Sequence, residues 1–437
     1  MDENRFGGGN SNMNPNNFNR EDFNMAPRSF GGRDFDMQIE NRRSFIMGLG
    51  MGFFAAAIFM IITVAGYTAY ARAVRWNGID PNTKIMEIYH LMDRFSIVPF
   101  DKEEMLENMY RGFLEAVGDP YTQYLDARAL AAFHERTDGV FVGIGVMISV
   151  EPDCPYVTIA STFRGAPAAE AGILPGDKIV AVNGVSVGGA MREEVVGKIT
   201  GEAGTSVVVT IFRPYENERF DVEIIRARVE VPTVFHEMHF TDRGLIGYIR
   251  LEGFDRLTAG QFESALAELY NDGMKGLILD IRNNPGGLLC SVNEITDRLI
   301  PEGIITFTVD ASGNRENFYS GSDHLGLPLV LLVNGRSASA SEVLSGAVRD
   351  TGTGTLMGTQ TFGKGVVQNL LYLTDGTAIK LTVQKYHTPN GECIHGVGIT
   401  PHVIVEMSDD LSRRIGNLTL EEDIQLQAAI ELIGEKF

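Results

Sequence analysis

The sequence has few cysteines, and the three that occur, Cys154, Cys290 and Cys393, stand far apart with no Cys-x-x-Cys spacing. An odd number without that spacing argues against a disulfide framework and against a zinc knuckle. Positive charge is also scarce, since 37 Lys and Arg stand against 57 Asp and Glu and the formal net charge is -20. A chain this acidic is disfavoured as a ligand of DNA, RNA or anionic lipid surfaces. We therefore expect no nucleic-acid partner.

The 437 residues contain enough apolar sequence for ordinary folded domains, with 44% hydrophobic and 22% charged residues. The chain is longer than the roughly 250–300 residues at which a single hydrophobic core stops growing, so two or more folded units are expected. Residues 1–43 differ from the rest, because they are rich in Asn, Gly, Arg and Asp and show no apolar periodicity. Such a composition cannot offset the entropy of the chain, and we predict a disordered tail.

No charged residue occurs from Ser44 to Ala71. This stretch is long enough to cross a bilayer, which takes roughly 20 apolar residues, so we predict one transmembrane helix over 44–71. A cleaved signal peptide is the alternative, but a long segment precedes the apolar run and no A-x-A cleavage site follows it. Arginines flank both ends of the run, so the positive-inside rule does not fix its orientation.

Apolar spacing then divides the rest of the chain. Two amphipathic helices and a third short helix predict an N-terminal helical segment at 80–136. Alternating apolar residues between Gly, Pro and Asn turns predict a strand-rich domain at 137–228. Over 229–437, buried-type strands alternate with helices, which predicts an α/β (α+β) core with a mixed sheet covered by helices.

The strand-rich domain contains Phe141-Val142-Gly143-Ile144-Gly145, followed by an Ala-Gly-Ile-Leu-Pro-Gly-Asp run at 171–177. This pattern resembles a PDZ domain of the kind found in bacterial proteases. A loop of small residues between two strands can turn its backbone N–H groups toward a terminal carboxylate, while the peptide extends the sheet edge. The resemblance therefore implies peptide binding by Phe141, Gly143, Ile144 and Gly145. The alternative is that these glycines only shape a turn.

Two strand-to-helix junctions of the core carry unusual residues. The first, Asn283-Asn284-Pro285-Gly286-Gly287, places two glycines where a helix begins, so free N–H groups and the positive end of the helix dipole face one spot. An oxyanion could bind there. The second is Ser337-Ala338-Ser339-Ala340-Ser341-Glu342, in which Ser339 also fits the S-x-x-E capping box. Taken alone, that junction would favour a helix cap over a catalytic serine.

A third motif, Thr361-Phe362-Gly363-Lys364-Gly365, places a lysine between two glycines, where its stem can be desolvated. Serine is a poor nucleophile at its free pKa, and no Ser-His-Asp arrangement stands out among the eight histidines. Lysine can act as the base only when neutral, so its pKa of about 10.4 would have to fall by roughly 2 to 3 units. Desolvation in a substrate-filled cleft could lower it that far.

Taken together, these motifs resemble the C-terminal processing peptidases, also called tail-specific proteases. The resemblance runs from about Ile85 to the C-terminus and includes Gly118-Asp119-Pro120-Tyr121 and the Gly-Val-Gly-Ile-Thr-Pro run at 396–401. It implies a serine nucleophile, a lysine base with a glutamine beside it, and an oxyanion hole of two backbone N–H groups. The corresponding residues here are Ser339, Lys364, Gln368, Gly287 and Ala340. Residues four apart in a straight strand lie about 13 Å apart, so a direct contact from Gln368 to Lys364 needs a turn there.

The implied function is that of a serine endopeptidase that recognises protein tails through the PDZ domain and cleaves them through an acyl-enzyme, with no metal or cofactor. By the same resemblance, one helix anchors the protein in the cell membrane, and the protease domain processes proteins outside the cytoplasm. The implied partners are protein substrates with exposed C-terminal tails, and a homo-oligomer is compatible with the sequence.

Two other functions compete with this one. A catalytically silent PDZ scaffold would only tether tails, and the intact Ser339 and Lys364 argue against it. A crotonase-type acyl-CoA enzyme would use a similar glycine-rich oxyanion loop, and the PDZ pattern and membrane span argue against it.

His236-Glu237-Met238-His239 has the wrong spacing for a helical zinc site. Cys290, which follows the glycine loop, is predicted to be a small buried helix residue.

Overall fold

The computed structural model describes residues 56–67, 80–150 and 154–437. The chain divides into two units, Met1–Phe100 and Asp101–Phe437. In the first unit, residues 56–67 are helical (α1), and α2 spans Pro81–Phe95 with the Asp80 carboxylate as its N-cap. The predicted tail and most of the predicted span over 44–71 lie outside the described residues. Within the described ranges, no helix has both the length and the apolar character needed to cross a membrane.

The second unit opens with two helices and a short strand. Its elements are α3 (Lys102–Glu115), β1 (Gln123–Leu125) and α4 (Ala127–Asp138). The Asp101 carboxylate caps α3 by accepting hydrogen bonds from two N–H groups of the first turn. Helix α4 ends at Gly139, whose φ of 69° is the left-handed conformation common after a helix.

The next part of the chain is a strand-rich body with its own core. Its elements are β2 (Val140–Gly143), β3 (Val146–Val150), β4 (Val157–Thr162), α5 (Pro167–Glu170), β5 (Lys178–Val182), β6 (Val185–Ser186), α6 (Arg192–Ile199), β7 (Ser206–Arg213), β8 (Glu218–Ile225) and β9 (Ala227–Glu230). The main sheet has the order β3-β4-β5-β7-β8, while β2 pairs with β9. Buried side chains such as Ile159, Ile179 and Val209 fill this core. Strand β3 comes first in this order, so it lies at an edge of the sheet.

The central sheet of the core has the order β10-β11-β12-β15-β16-β19, and all pairs except β10 with β11 are parallel. Its strands are β10 (Val234–Thr241), β11 (Gly244–Leu251), β12 (Gly276–Asp280), β15 (Leu329–Val333), β16 (Gly354–Gly358) and β19 (Val403–Ile404). The helices that follow or cover it are α7 (Thr258–Asn271), α8 (Leu289–Asp297), α9 (Ala340–Thr351), α10 (Asp409–Arg413) and α11 (Ile424–Gly434).

Both faces of this sheet are covered. Alternate side chains of a strand point to opposite faces. Accordingly, Leu277 and Leu279 of β12 belong to a core cluster with residues of α7, α8 and α9, whereas Ile278 belongs to a second cluster with residues of α11. Strands covered on both sides read as continuous apolar runs, which is why β12 and β15 were predictable.

A second sheet, absent from the sequence prediction, packs against helices α8 and α9. It comprises β1, β13 (Gly303–Asp310), β14 (Arg315–Ser320), β17 (Val366–Tyr372) and β18 (Ala378–His387), with β18 between β1 and β13 and also paired with β17. Polar and exposed residues interrupt these strands, as in the Arg-Glu-Asn-Phe-Tyr-Ser sequence of β14. The pairing of β17 with β18 shifts register between Val367 and Gln368.

Candidate active site

Three motif loops leave the same edge of the central sheet. Residues 281–288 follow β12, residues 334–339 follow β15 and residues 359–365 follow β16, and these three strands are adjacent and parallel. The carboxyl ends of parallel strands lie at one edge, which is where open α/β sheets bind their ligands. The topology therefore brings the glycine loop, the serine and the lysine together.

Ser339 sits in a strained turn at the start of α9. Its φ of 58° and ψ of -114° are unusual for a residue with a side chain, and it is only 7% exposed. The Glu342 carboxylate accepts a hydrogen bond from the Ser339 N–H at 2.9 Å, which forms one half of a capping box. The Glu342 N–H also donates to the Ser339 carbonyl oxygen at 2.8 Å, within the same turn.

Asn284 joins the glycine loop to the serine turn. Its carbonyl oxygen accepts from the Ala338 N–H at 3.0 Å and from the Ser341 hydroxyl at 2.9 Å. Its side-chain oxygen accepts from the Gly286 N–H at 2.9 Å. A Cβ at Gly286 would lie 2.6 Å from the Ala338 carbonyl oxygen, so only glycine permits this approach. The two loops are held in direct contact.

Two backbone N–H groups remain unused at this junction. In the described part of the chain, neither the Gly287 N–H nor the Ala340 N–H donates a hydrogen bond. The loop around Gly287 is nevertheless fixed, because the Phe254 N–H donates to the Gly286 carbonyl at 3.1 Å and the Leu288 N–H donates to the Phe254 carbonyl at 2.7 Å. Fixed, unpaired N–H groups are what an oxyanion hole requires.

Glu342 links the serine turn to the lysine loop, a role that the sequence analysis did not assign. Its fully buried carboxylate accepts from the backbone N–H of Ser339 at 2.9 Å, of Gly363 at 2.7 Å and of Lys364 at 2.8 Å. It also accepts from the Thr361 hydroxyl at 2.6 Å. One carboxylate therefore fixes the backbone of both the predicted nucleophile and the predicted base.

The Lys364 side chain is partly buried, and its Nζ lies 4.8 Å from the centre of the Tyr121 ring. Burial lowers the pKa of the Lys364 amine below its ordinary value, and the charge of Lys380 lowers it further. The carboxylates of Asp119 and Glu342 act in the opposite direction without reversing the shift. Burial and Lys380 thus make the neutral form of the Lys364 amine, which a general base requires, easier to reach than for an exposed lysine.

The glycines beside Lys364 allow another loop to pack closely. A Cβ on Gly365 would overlap the His395 backbone, and the Gly396 N–H donates to the Gly363 carbonyl at 2.8 Å. The Gly-Val-Gly-Ile-Thr-Pro run and the residue before it therefore pack directly against the lysine loop.

A cavity of about 650 Å³ brings the predicted site residues together. Ser339, Gly287, Lys364 and Gln368 all line it. Among the described residues, no hydrogen bond joins Ser339 to Lys364, and the Gln368 amide donates instead to the Val366 carbonyl at 3.3 Å. The register of β17 shifts just before Gln368, so the chain is not a straight strand between Lys364 and Gln368.

Comparison with known proteins places this geometry in a family. The model of peptidase family S41 matches residues 245–405, and that of the PDZ domain matches residues 161–213. The carboxy-terminal processing protease CtpB of Bacillus subtilis is 34% identical over 361 residues, covering 82% of this chain and 74% of the relative. The chain belongs to the carboxy-terminal processing proteases of peptidase family S41. The serine-peptidase activity and the family predicted from the motifs are thereby confirmed.

Two further comparisons agree with this assignment. A carboxy-terminal-processing protease of Bartonella bacilliformis is 33% identical over 369 residues, which cover 81% of this chain and 82% of that protein. A solved structure from Bacteroides fragilis assigned to the S41 proteases has a TM-score of 0.51 at 16% identity and covers 83% of this chain and all of that one. At that identity, the match concerns the fold. The mixed α/β core with a PDZ domain is as the sequence predicts.

In this S41 protease, a buried ionic network lies at the start of the glycine loop that follows β12. The Arg282 guanidinium donates to Asp280 at 2.6 Å and to Asp423 at 2.7 Å, and all three side chains are buried. Burial opposes the Arg282 charge, but the two carboxylates outweigh it and raise the arginine pKa. Asp423 is the N-cap of α11, far along the chain, so spacing gave no sign of this pairing.

The predicted peptide-binding residues of the PDZ domain fall into two groups. Gly143 and Gly145 are buried around the turn before the edge strand β3, and Gly145 has a φ of 78°. The Phe141 ring is half-buried against Phe163, with ring centres 6.3 Å apart. The Ile144 side chain is 1% exposed in the domain core, so only its backbone can face a peptide.

The prediction for Cys290 in this protease was wrong, because the residue is exposed on the first turn of α8. The apolar positions of that helix that enter the core are Val292 and Ile295, two and five positions after Cys290, so Cys290 lies on the other face of the helix.

Proposed function

We propose that this protease cleaves peptide bonds through a Ser339–Lys364 dyad. The observation that carries the proposal is the shared cavity in which Ser339, the depressed-pKa amine of Lys364 and the unused N–H of Gly287 meet. One buried carboxylate, Glu342, also fixes the backbone of both residues, which supports the pairing.

The reaction follows from these positions. The neutral Lys364 amine takes the proton of the Ser339 hydroxyl as its oxygen attacks the substrate carbonyl carbon. The resulting oxyanion accepts hydrogen bonds from the N–H groups of Gly287 and Ala340. The Lys364 ammonium then gives its proton to the leaving amine, and an acyl-enzyme remains on Ser339. Water, deprotonated by the same amine, releases the acyl group and restores the serine.

Gln368 has a supporting role in this proposal. It lines the cavity and is bonded within its own strand, so the amide lies near the base without touching it in this state. A rotation of its side chain would allow the amide oxygen to accept from the Lys364 amine and orient it.

The catalytic proposal is tested with peptide cleavage by the full chain. Ser339→Ala and Lys364→Arg should both be folded and inactive, because a guanidinium does not give up its proton near neutral pH. Ser264→Ala is the matched serine control, since Ser264 is exposed on α7 and away from the cavity. Cleavage by a folded Lys364→Arg variant would mean that a different residue activates the serine.

Substrate tails are proposed to bind along β3. This strand is at the edge of its sheet, and the glycine turn that precedes it can present N–H groups to a terminal carboxylate. Peptides with apolar C-terminal residues should bind more weakly once the C-terminus is amidated. Equal binding of the acid and the amide, measured by fluorescence anisotropy, would remove the carboxylate-recognition part of the proposal.

We also propose the domain limits 80–136, 137–228 and 229–437. We further propose that residues 44–71 anchor the protein in the membrane and that the protease lies outside the cytoplasm. The uncharged run supports the anchor. Protease treatment of intact cells should remove epitopes after Arg75 and spare those in the first 40 residues. Protection of both epitopes would contradict this orientation.

A further inference from the structure

The Gly118-Asp119-Pro120-Tyr121 motif has no part in the reaction described above. It lies between α3 and β1, outside the family-model match at 245–405. Yet its Tyr121 ring faces the proposed base, since the Lys364 Nζ lies 4.8 Å from the ring centre. A lysine nitrogen within about 6 Å of a ring centre is in range of a cation–π interaction. The motif therefore contacts a residue of the cavity wall, Lys364, from a distant part of the sequence.

The ring is held from two directions. On one side, the Tyr121 ring meets the His395 ring edge to face at 6.3 Å, and the His395 loop packs against the lysine loop. On the other side, the Asp119 carboxylate accepts from the Tyr121 N–H at 3.0 Å and from the Thr122 hydroxyl at 2.6 Å. The Thr122 oxygen accepts in turn from the Thr382 N–H of β18 at 3.2 Å.

These contacts tie the motif to β18, which pairs with the strand that follows the base. Strand β18 pairs with β17, which begins two residues after Lys364, and also with β1, which begins two residues after Tyr121. The backbones at Tyr121 and Lys364 are therefore placed by two strands that pair with the same strand, β18. Displacement of one backbone segment relative to the other would require these pairings to break.

We propose that Tyr121 is a positioning residue that holds the Lys364 amine against the cavity wall and stabilises the ammonium formed when Ser339 loses its proton. The ring face is electron-rich, so its attraction is larger for the ammonium than for the neutral amine. Because that charge develops during proton transfer, the contact strengthens toward the transition state. This inference rests on the proposed dyad.

Other groups set the charge around Lys364, and the test must separate them from the ring. They come from every element packed against it: Lys380 on β18, Asp119 in the motif loop, Glu342 on α9, His395 beside the ring and Arg136, which acts on Lys380. Burial raises the pKa of Asp119, but the hydrogen bonds it accepts outweigh burial and leave that pKa below its ordinary value. Asp119 thus stays ionised over the pH range of the assay, and substitution of Tyr121 leaves all five of these groups in place.

The test compares Tyr121→Leu, Tyr121→Phe and the control Tyr319→Leu in the full chain, with kcat and KM measured from about pH 5 to 10. Tyr319 is exposed on β14, outside the cavity. Tyr121→Leu should lower kcat by about 3- to 30-fold with KM little changed, the range expected for a cation–π contact. Tyr121→Phe keeps the ring and should stay near wild type, as should Tyr319→Leu.

The pH profile separates positioning from simple loosening of the fold. Without the ring, the Lys364 ammonium loses a stabilising contact, so its pKa falls and the acid limb of kcat/KM moves to lower pH. If leucine merely opened the cavity to water, the amine would be rehydrated, its pKa would rise and the limb would move to higher pH. The second result would overturn the proposal.

A wild-type kcat in Tyr121→Leu, or an equal loss in Tyr121→Leu and Tyr121→Phe, would also overturn it. A higher kcat in Tyr121→Leu would show that the ring restrains the base rather than assisting it. If the dyad assignment itself is wrong, the Lys364→Arg variant would cleave peptide as fast as the wild type, which none of the outcomes above predicts. Competitive labelling of the Lys364 amine in a Ser339→Ala background gives its pKa without any activity, and the expected order is Tyr121→Leu below Tyr121→Phe.

Discussion

Replacement of Glu342 by glutamine is expected to damage the site more than its conservative chemistry suggests. The carboxylate accepts four hydrogen bonds, two at each oxygen, from Ser339, Thr361, Gly363 and Lys364. In Glu342→Gln, one oxygen becomes an NH₂ donor, which can accept neither of the two hydrogen bonds made at that position. Hydrogen bonds to a charged group contribute about 1.5–3 kcal/mol each, which predicts a loss of about 1.5–6 kcal/mol in unfolding free energy, the lower value applying where the Thr361 hydroxyl reverses its bond.

In the favoured orientation of the new side-chain amide, its oxygen faces the N–H groups of Ser339 and Lys364, because the Thr361 hydroxyl can turn to accept from the NH₂ group. The Gly363 N–H is then left facing another donor, and the lysine loop shifts. Displacement of a catalytic group by about 1 Å can cost 100-fold in rate, so kcat/KM should fall at least that far.

Urea unfolding measures the first effect, and peptide cleavage at saturating and limiting substrate measures the second. The urea m-value should be unchanged, since the surface exposed on unfolding is the same. Glu302→Gln is the matched control, because Glu302 is exposed in the same domain and forms no ion pair among the described residues. If Glu342→Gln lies within about 1 kcal/mol and a few-fold of wild type, the carboxylate does not fix the two loops.

Three further outcomes are expected. Gly286→Ala should abolish cleavage, measured with the same peptides, because its Cβ would lie 2.6 Å from the Ala338 carbonyl oxygen. Lys380→Met removes a positive charge that depresses the Lys364 pKa, so that pKa should rise and the acid limb of kcat/KM should move to higher pH; Lys380→Arg should leave the limb unchanged. Arg282→Met leaves two buried carboxylates without their partner and should cost about 3–5 kcal/mol in urea unfolding, and a smaller loss would show that water reaches them.

The sequence predicts the elements whose burial is simple. Strands β12 and β15 are covered on both faces and read as unbroken apolar runs, and the helices beside them have clear caps or periodicity. The sheet of β13, β14, β17 and β18 was missed because one of its faces is partly exposed, so polar residues break the pattern. A strand of this kind is recognisable only once its partners are known.

The same distinction holds for the site. Ser339, Lys364 and the glycine loop follow from local motifs, because each motif combines unusual residues within a few positions. Glu342 and Tyr121 act through contacts between distant segments, and the local signal at Glu342 suggested only a helix cap. Long-range pairing leaves no periodicity behind, so these roles required the structure.

The Arg282–Asp423 pairing also bears on when activity can arise during synthesis. The two residues are 141 positions apart, and Asp423 both pairs with the arginine at the start of the glycine loop and caps α11. A nascent chain that has made every cavity residue still lacks two of the three side-chain partners of this arginine, Asp423 and Gln425. We therefore expect ribosome-bound or truncated chains that stop before Asp423 to be inactive, which would spare the cell a protease before its last helix has docked.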